Sequence, residues 1–264
     1  MSKYILSEIW IYPIKSLGGI RLKTAKVMEK GLQHDRRWML IDENNRFMTQ
    51  RVQNEMALFK QTMDSSQLTI QFRDNVLTIP LNSPIIDEPI LSNVWDDAVT
   101  VFEVRREYSD WFSLHLDFKC RLVSFPEFNS RPVDARYKIN DEHVSLADAY
   151  PFLIIGQSSL DDLNSRLERP VPMNRFRPNF VFTGGQPYEE DEWKNFTIGN
   201  NHFAGVKPCA RCVLTTVNQD TAEKGKEPLL TLSKYRRQGE KVLFGQNVLA
   251  IDHNEIYEGD EISF

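Results

Sequence analysis

Only three cysteines occur in the 264 residues, too few for a disulfide framework, so the chain is expected to work in a reducing cytoplasm. No apolar run approaches the length of a bilayer span, which argues against a membrane protein. The start, Met1-Ser2-Lys3-Tyr4-Ile5-Leu6, lacks the long apolar core of a signal peptide. The net charge of -5 gives no overall pull toward nucleic acid, so any anion site must be local. Nucleotide and hydrolase signatures are missing as well. There is no GxxxxGK[ST] loop and no dinucleotide fingerprint, and Gly156-Gln157-Ser158-Ser159-Leu160 lacks the second glycine of a nucleophile elbow. No second CxxC or CxxH pair accompanies Cys209-Ala210-Arg211-Cys212, which leaves a structural zinc ion without a ligand set.

What is present reads as short strands separated by turns. Ile5 to Tyr12 alternates until Pro13 and Gly18-Gly19 interrupt it, and Trp38 to Asp42 is a short apolar strand. Leu68–Phe72 and Val76–Ile79 flank Arg73-Asp74-Asn75 as a hairpin, and Val99–Val104 is a further strand. Ser109 to Leu116 reads as a helix capped by Ser109 or Asp110. A second helix over 158–167 is expected to be capped by Ser158 or Ser159. Strands are expected again over Phe152–Ile155, Asn179–Phe182, Phe203–Val206, Val213–Val217 and Val248–Ile251. The helices are too few to cover both faces of a parallel sheet. The expected class is therefore α+β, predominantly antiparallel, a β-barrel with peripheral helices, with a boundary near the Pro-containing loop 125–132.

Four short constellations carry chemistry. Cys209 and Cys212 have Arg211 and Lys207 close by, surroundings that favour thiolate reactivity and soft-metal binding. They form a redox dithiol, or one of them is presented to a ligand; inert packing is the competing reading. Lys15-Ser16 before Gly18-Gly19 offers a cation, a hydroxyl and flexible backbone to an anion, or else forms a solvated turn. In Asn174-Arg175-Phe176-Arg177-Pro178-Asn179, Pro178 biases Arg177 toward extended backbone, so Arg175 and Arg177 point the same way. Asp148, before Ala149-Tyr150-Pro151, is a turn residue or a carboxylate at the mouth of a site.

The order of these pieces carries more than any one of them. Tyr12-Pro13-Ile14-Lys15-Ser16, Asp35-Arg36-Arg37-Trp38, Ser159-Leu160-Asp161-Asp162-Leu163-Asn164, Phe176-Arg177-Pro178-Asn179, Cys209-Ala210-Arg211-Cys212, Lys226-Glu227-Pro228-Leu229 and Leu243-Phe244-Gly245-Gln246-Asn247 follow one another along nearly the whole chain. This resembles the MOSC-domain proteins that carry an N-terminal MOSC β-barrel domain, a branch that includes the mitochondrial amidoxime-reducing components and bacterial relatives.

The resemblance implies an N-terminal β-rich domain over 1–120 and a MOSC domain over 121–264. It implies a molybdenum cofactor bound through a pterin dithiolene, with Cys212 as the protein's metal ligand and Asp148 close to the metal. Lys15, Ser16, Arg36, Arg177 and Asn179 fall on cofactor-binding positions, and Ala210 and Arg211 lie in the loop that carries the ligand. Where the family often has a hydroxyl residue after the aspartate, this chain has Ala149. The implied reaction is reduction of N-hydroxylated compounds such as amidoximes or hydroxylaminopurines. The implied electron source is a separate ferredoxin-like or flavin protein, because no four-cysteine cluster follows. Two alternatives stay open: a sulfur carrier or cofactor-trafficking protein using Cys212, and a non-catalytic module using the Cys209–Cys212 dithiol.

Overall fold

The computed structural model describes residues 3–86 and 88–264. In the first strand, Tyr4–Ile11, the side chains of Leu6, Ile9 and Ile11 are fully buried. Leu6 and Ile9 share a face although three residues apart, because the register with Phe180–Thr183 slips between Leu6 and Glu8, as at a β-bulge. This strand belongs to a closed seven-stranded barrel. Starting from Phe152–Gly156, the ring runs through Phe180–Thr183, Tyr4–Ile11, Glu261–Ser263, Asn195–Ile198, Asn201–Arg211 and Lys241–Ala250. The last of these pairs back onto Phe152–Gly156. Only Phe152–Gly156 and Phe180–Thr183 run parallel, with the helix Gln157–Ser165 between them in the chain. The fold is α+β and mainly antiparallel, as expected.

Two further sheets extend from the barrel. One is the antiparallel set Trp38–Ile41, Arg121–Ser124, Asp97–Glu103 and Pro89–Val94; the other is the meander Lys60–Met63, Gln67–Phe72 and Asn75–Pro80. A small third sheet joins Thr24–Met28 and Gly31–Leu32 to Glu255–Tyr257. One continuous apolar cluster runs from Leu6, Phe152, Phe180 and Phe203 in the barrel to Ile14, Leu40, Met56 and Phe59 outside it. Among the described residues no helix is long and apolar enough to cross a membrane.

The structure corrects several local expectations. Val213–Thr216 is a 3-10 turn and not a strand. Its β-branched residues sit beyond the end of the strand Asn201–Arg211, which already contains Cys209. The helix Arg106–Leu116 starts before Ser109, whose Oγ donates to Glu103 Oε1 and accepts from the Leu122 amide instead of capping. Ser159 likewise lies inside its helix, donating to the buried carboxylate of Glu190. Leu229–Tyr235 is a short helix that the sequence reading did not anticipate.

The long strand Asn201–Arg211 slips register against Lys241–Ala250 twice, between Gly205 and Lys207 and between Pro208 and Ala210. At the first slip a Cβ on Gly205 would lie 1.8 Å from the Trp193 carbonyl oxygen, a backbone atom that cannot swing aside. Gly205→Ala is expected to lower stability by roughly 1–3 kcal/mol, as overpacking does. The change in chemical-denaturation midpoint measures it.

Candidate functional site

Tyr12-Pro13-Ile14-Lys15-Ser16 leaves the barrel and runs beside residues 36–38. The Lys15 amide donates to the Trp38 carbonyl at 2.8 Å, the Arg36 amide to Tyr12 at 3.0 Å, and the Trp38 amide to Pro13 at 3.2 Å. Asp35, with no solvent exposure, ties this crossing to the strand that begins at Phe180. Its Oδ1 accepts from the Tyr12 amide at 2.7 Å; its Oδ2 accepts from Arg36 at 2.6 Å and from Asn179 Nδ2 at 3.1 Å. Asn179 also donates to the Trp10 carbonyl, and its Oδ1 accepts from Arg36. The guanidinium carbons of Arg36 and Arg177 lie 4.3 and 4.1 Å from the centre of the Tyr12 ring.

These segments wall a cavity of about 280 Å³. Lys15, Ser16, Arg36, Asp148, Arg177, Asn179, Ala210, Arg211 and Cys212, all singled out from the sequence, line it together. Six cationic side chains face it, Lys15, Arg36, Arg51, Arg177, Lys207 and Arg211, against one carboxylate, Asp148. In a chain of net charge -5 this is a concentrated local excess of positive charge, the setting for a multiply charged anion. Ser16, Arg36 and Arg177 have left-handed backbone, with φ of 67°, 51° and 55°. Such conformations cost about 1–3 kcal/mol each and gather at functional sites. Arg177 is thus not extended, as its following proline suggested. Its carbonyl accepts from Arg36 and its guanidinium donates to Leu17 O at 2.7 Å, contacts that outweigh the local bias. Arg175 does not join it: it donates to the Thr215 and Glu227 carbonyls, bracing the turn after Cys212 from behind.

Asp148 is held by cations and does not act as a cap. Its oxygens meet Lys15 Nζ at 2.5 Å and Arg51 at 3.0 Å, while half its side chain, 53%, stays open. Its place in the cavity wall by itself would raise its pKa, but Lys15 and Arg51 reverse this and hold the carboxyl well below the usual carboxylate range. Arg131, buried, fixes the loop by donating to the carbonyls of Ser145, Ala147 and Asp148. Burial pushes Lys15 down to about 8 despite Asp148, and Arg177 down to about 10.

Cys212 and Cys209 have different surroundings. Cys212 Sγ accepts from Arg51 Nε at 3.2 Å, and Cys209 Sγ from Arg211 at 3.0 Å. Arg51 was not among the sequence candidates. It sits in no motif, and its only signal is spatial: it joins Cys212 to Asp148, 161 and 97 residues away. Lys207, noted only as a neighbour of the cysteines, also lines the cavity, its ammonium over the rings of Tyr137 and Tyr150.

Among the described residues no three His, Cys, Asp or Glu side chains gather as a metal cage. A metal at Cys212 must therefore bring most of its own ligands. Cys209 and Cys212 are both half-buried and both line the cavity, and a thiol in so cationic a cavity suits a metal carried by an organic chelator with an anionic tail.

The family model described as MOSC domain matches residues 141–263, and that described as MOSC N-terminal beta barrel domain matches residues 3–118. The chain is 35% identical to mitochondrial amidoxime-reducing component 1 of Mus musculus, over 91% of this chain and 74% of the relative. It is 32% identical to the Homo sapiens protein of the same name, over 97% and 82%. It is 31% identical to the molybdenum cofactor sulfurase of Arabidopsis thaliana, over 92% of this chain but only 32% of that larger protein.

The lowered Lys15 pKa fixes the sign of two pH effects. Between about 8 and 10.5 the unfolded chain holds more protons than the folded one, so this residue's contribution to stability rises with pH. Anion binding runs the other way, because the charge that holds the anion is lost. The affinity of cofactor-free protein for inorganic phosphate, measured by calorimetry, is expected to fall as pH rises past about 8. Lys15→Arg is expected to remove that fall.

Proposed function

Because the chain belongs to the MOSC family and carries the N-terminal MOSC β-barrel domain, we propose that it is a molybdenum-cofactor-dependent reductase of N-hydroxylated compounds, amidoximes and hydroxylaminopurines, served by a separate electron-donor protein. One observation carries the reading: Cys212, hydrogen-bonded to Arg51, and Cys209, hydrogen-bonded to Arg211, both line a cavity where six cationic side chains face one carboxylate, and of the two only Cys212 is joined through Arg51 to Asp148. The residues present fit the group. Cys212 would be the protein's ligand to the metal, Lys15, Ser16, Arg36 and Arg177 would hold the anionic end, and Asn179, Ala210 and Arg211 would line the pterin. In this reading the two domains, 1–120 and 121–264, both contribute to the cavity, Lys15, Ser16, Arg36 and Arg51 from the first and residues between 147 and 247 from the second.

When bound, the cofactor supplies the two-electron redox change. Overall, R–NHOH with two electrons and two protons gives R–NH2 and water; the N–O bond breaks and the nitrogen is reduced. The side chains supply position and field. Asp148, kept ionised by Lys15 and Arg51, accepts hydrogen bonds from the N–H groups of an amidoxime or hydroxylamine and is ill suited to give up a proton at neutral pH. Arg51 holds the Cys212 sulfur and the Asp148 carboxylate in one arrangement. Cys209, paired with Arg211 on the Phe176 side, lies outside that arrangement.

A second reading, a sulfur carrier or trafficking protein, draws support from the sulfurase relative. Protein made in a host that assembles molybdopterin separates the two. The reductase reading expects about one molybdenum per chain and dithionite-driven reduction of benzamidoxime. It further expects Cys212→Ser to lower that rate by at least about a hundredfold, more than the loss of an outer-shell partner does. Cys209→Ser is expected to cost far less. Persulfide on Cys212 without N-hydroxy reduction would replace the reductase by the carrier, and equal losses at both cysteines would point to a dithiol.

A further inference from the structure

Trp95 breaks local rules of chain construction. It is the first residue of the two-residue turn that joins Pro89–Val94 to Asp97–Glu103, across which Val94 pairs with Asp97. Its φ is 58°, a left-handed conformation in which glycine is the usual occupant and a bulky side chain is an outlier. Its indole is 46% exposed, so little burial offsets the strain. A residue kept against turn chemistry and against solvation marks a place where function outweighs stability.

Its surroundings say what that function is. The Arg51 guanidinium lies 4.3 Å from the indole centre, and the Phe47 ring meets the indole edge-on at 5.5 Å. Arg51 itself touches Cys212 Sγ and Asp148. Trp95 therefore stands one side chain away from the proposed metal ligand, at an exposed rim it shares with its hydrogen-bond partner Asp148. A molecule presenting an N–OH group near Cys212 while its N–H groups meet Asp148 has its remaining bulk at this rim. There the indole, 46% exposed, offers an open flat apolar face, whereas the rings that line the cavity itself, Tyr150, Phe152 and Phe176, are buried.

We propose that Trp95 is the stacking platform for planar N-hydroxylated substrates, purines and arenes, and that it sets the preference for flat over aliphatic molecules. The proposal rests on the reductase reading and adds to it the residue that selects the substrate. Stacking suits the role because every planar ring offers a π-face, so the platform discriminates by shape and tolerates different ring substituents. The competing role is structural: the indole braces Arg51 and touches no substrate.

Steady-state kinetics of the cofactor-loaded chain, with reduced viologen as donor, separates these roles. A hydroxylaminopurine and the aliphatic acetamidoxime serve as substrates, for the wild type, Trp95→Gly and Trp95→Phe. Glycine is chosen because it suits the left-handed turn. Trp95→Gly is expected to raise KM for the hydroxylaminopurine by about tenfold or more, the range of stacking one base on an aromatic ring. The planar-to-aliphatic ratio of kcat/KM should fall by the same factor, and Trp95→Phe should recover most of it. An unchanged ratio, or equal kcat losses for both substrates, overturns the proposal and leaves Trp95 a brace for Arg51. Should the wild type reduce neither substrate, the reductase reading fails by itself. Quenching of indole fluorescence by unreactive adenine, present in the wild type and absent in Trp95→Phe, would still support the platform; equal quenching in both would overturn it.

Discussion

Asp35 is a carboxylate with no path to water, and three separate parts of the chain meet on it. The Tyr12 amide, the Arg36 guanidinium and the Asn179 side-chain amide each donate to its two oxygens. A buried charge of this kind depends on its partners; losing Arg36, its ion-pair partner, leaves an uncompensated ion and costs about 3–5 kcal/mol. The end of the first barrel strand, the turn carrying Arg36 and the strand after Arg177 are thereby held in one relation. Lys15 and Ser16 follow from Tyr12, and Arg177 lies two residues before Asn179. The cationic wall of the cavity is a consequence of satisfying one buried acid.

That wall places six like charges around about 280 Å³, a repulsion that the fold manages in three ways. Aromatic faces take up some of it, since Tyr12 lies against both Arg36 and Arg177 and Tyr137 lies under Lys207. Backbone carbonyls take up more, Leu17 accepting from Arg177, Leu146 from Lys15 and Phe176 from Arg211. Asp148 bridges Lys15 and Arg51. Burial first, and with it the like charge of Arg36, lower the pKa of both Lys15 and Arg177, so part of the repulsion remains. Left-handed backbone at Ser16, Arg36 and Arg177 adds to the stored cost, and a bound polyanion would relieve the electrostatic part of it.

Several strands were legible from residues alone, among them the continuous apolar run Trp38–Ile41, Asp97–Glu103 and the hairpin through Arg73. So were the site residues that sit in short ordered motifs. Reading failed where long-range contacts decide. Val213–Thr216 has strand composition, yet the chain turns there because the strand has already ended at Arg211. Ser109 and Ser159 have capping chemistry, but Glu103 and Glu190 claim their hydroxyls. Arg177 lost its extended bias to partners at Leu17 and Arg36. Arg51 is the plainest case. Nothing near it in sequence distinguishes it from a surface arginine, and its importance comes entirely from the fold bringing Cys212 and Asp148 to it.

The opening strand of the barrel completes its pairing only with residues far along the sequence: Ile9 pairs with Phe180 and Tyr4 with Ile262. During synthesis, at about 5–20 residues per second, Tyr4–Ile11 must therefore wait on the order of ten seconds or more for its barrel neighbours. In that interval only the short segment Ile20–Leu22 is at hand to cover one of its borders. An unpaired border of this kind recruits foreign strands. The nascent protein is thus exposed to misassociation until Phe180–Thr183 and Glu261–Ser263 have been made, and a holdase that shields Tyr4–Ile11 would protect it most.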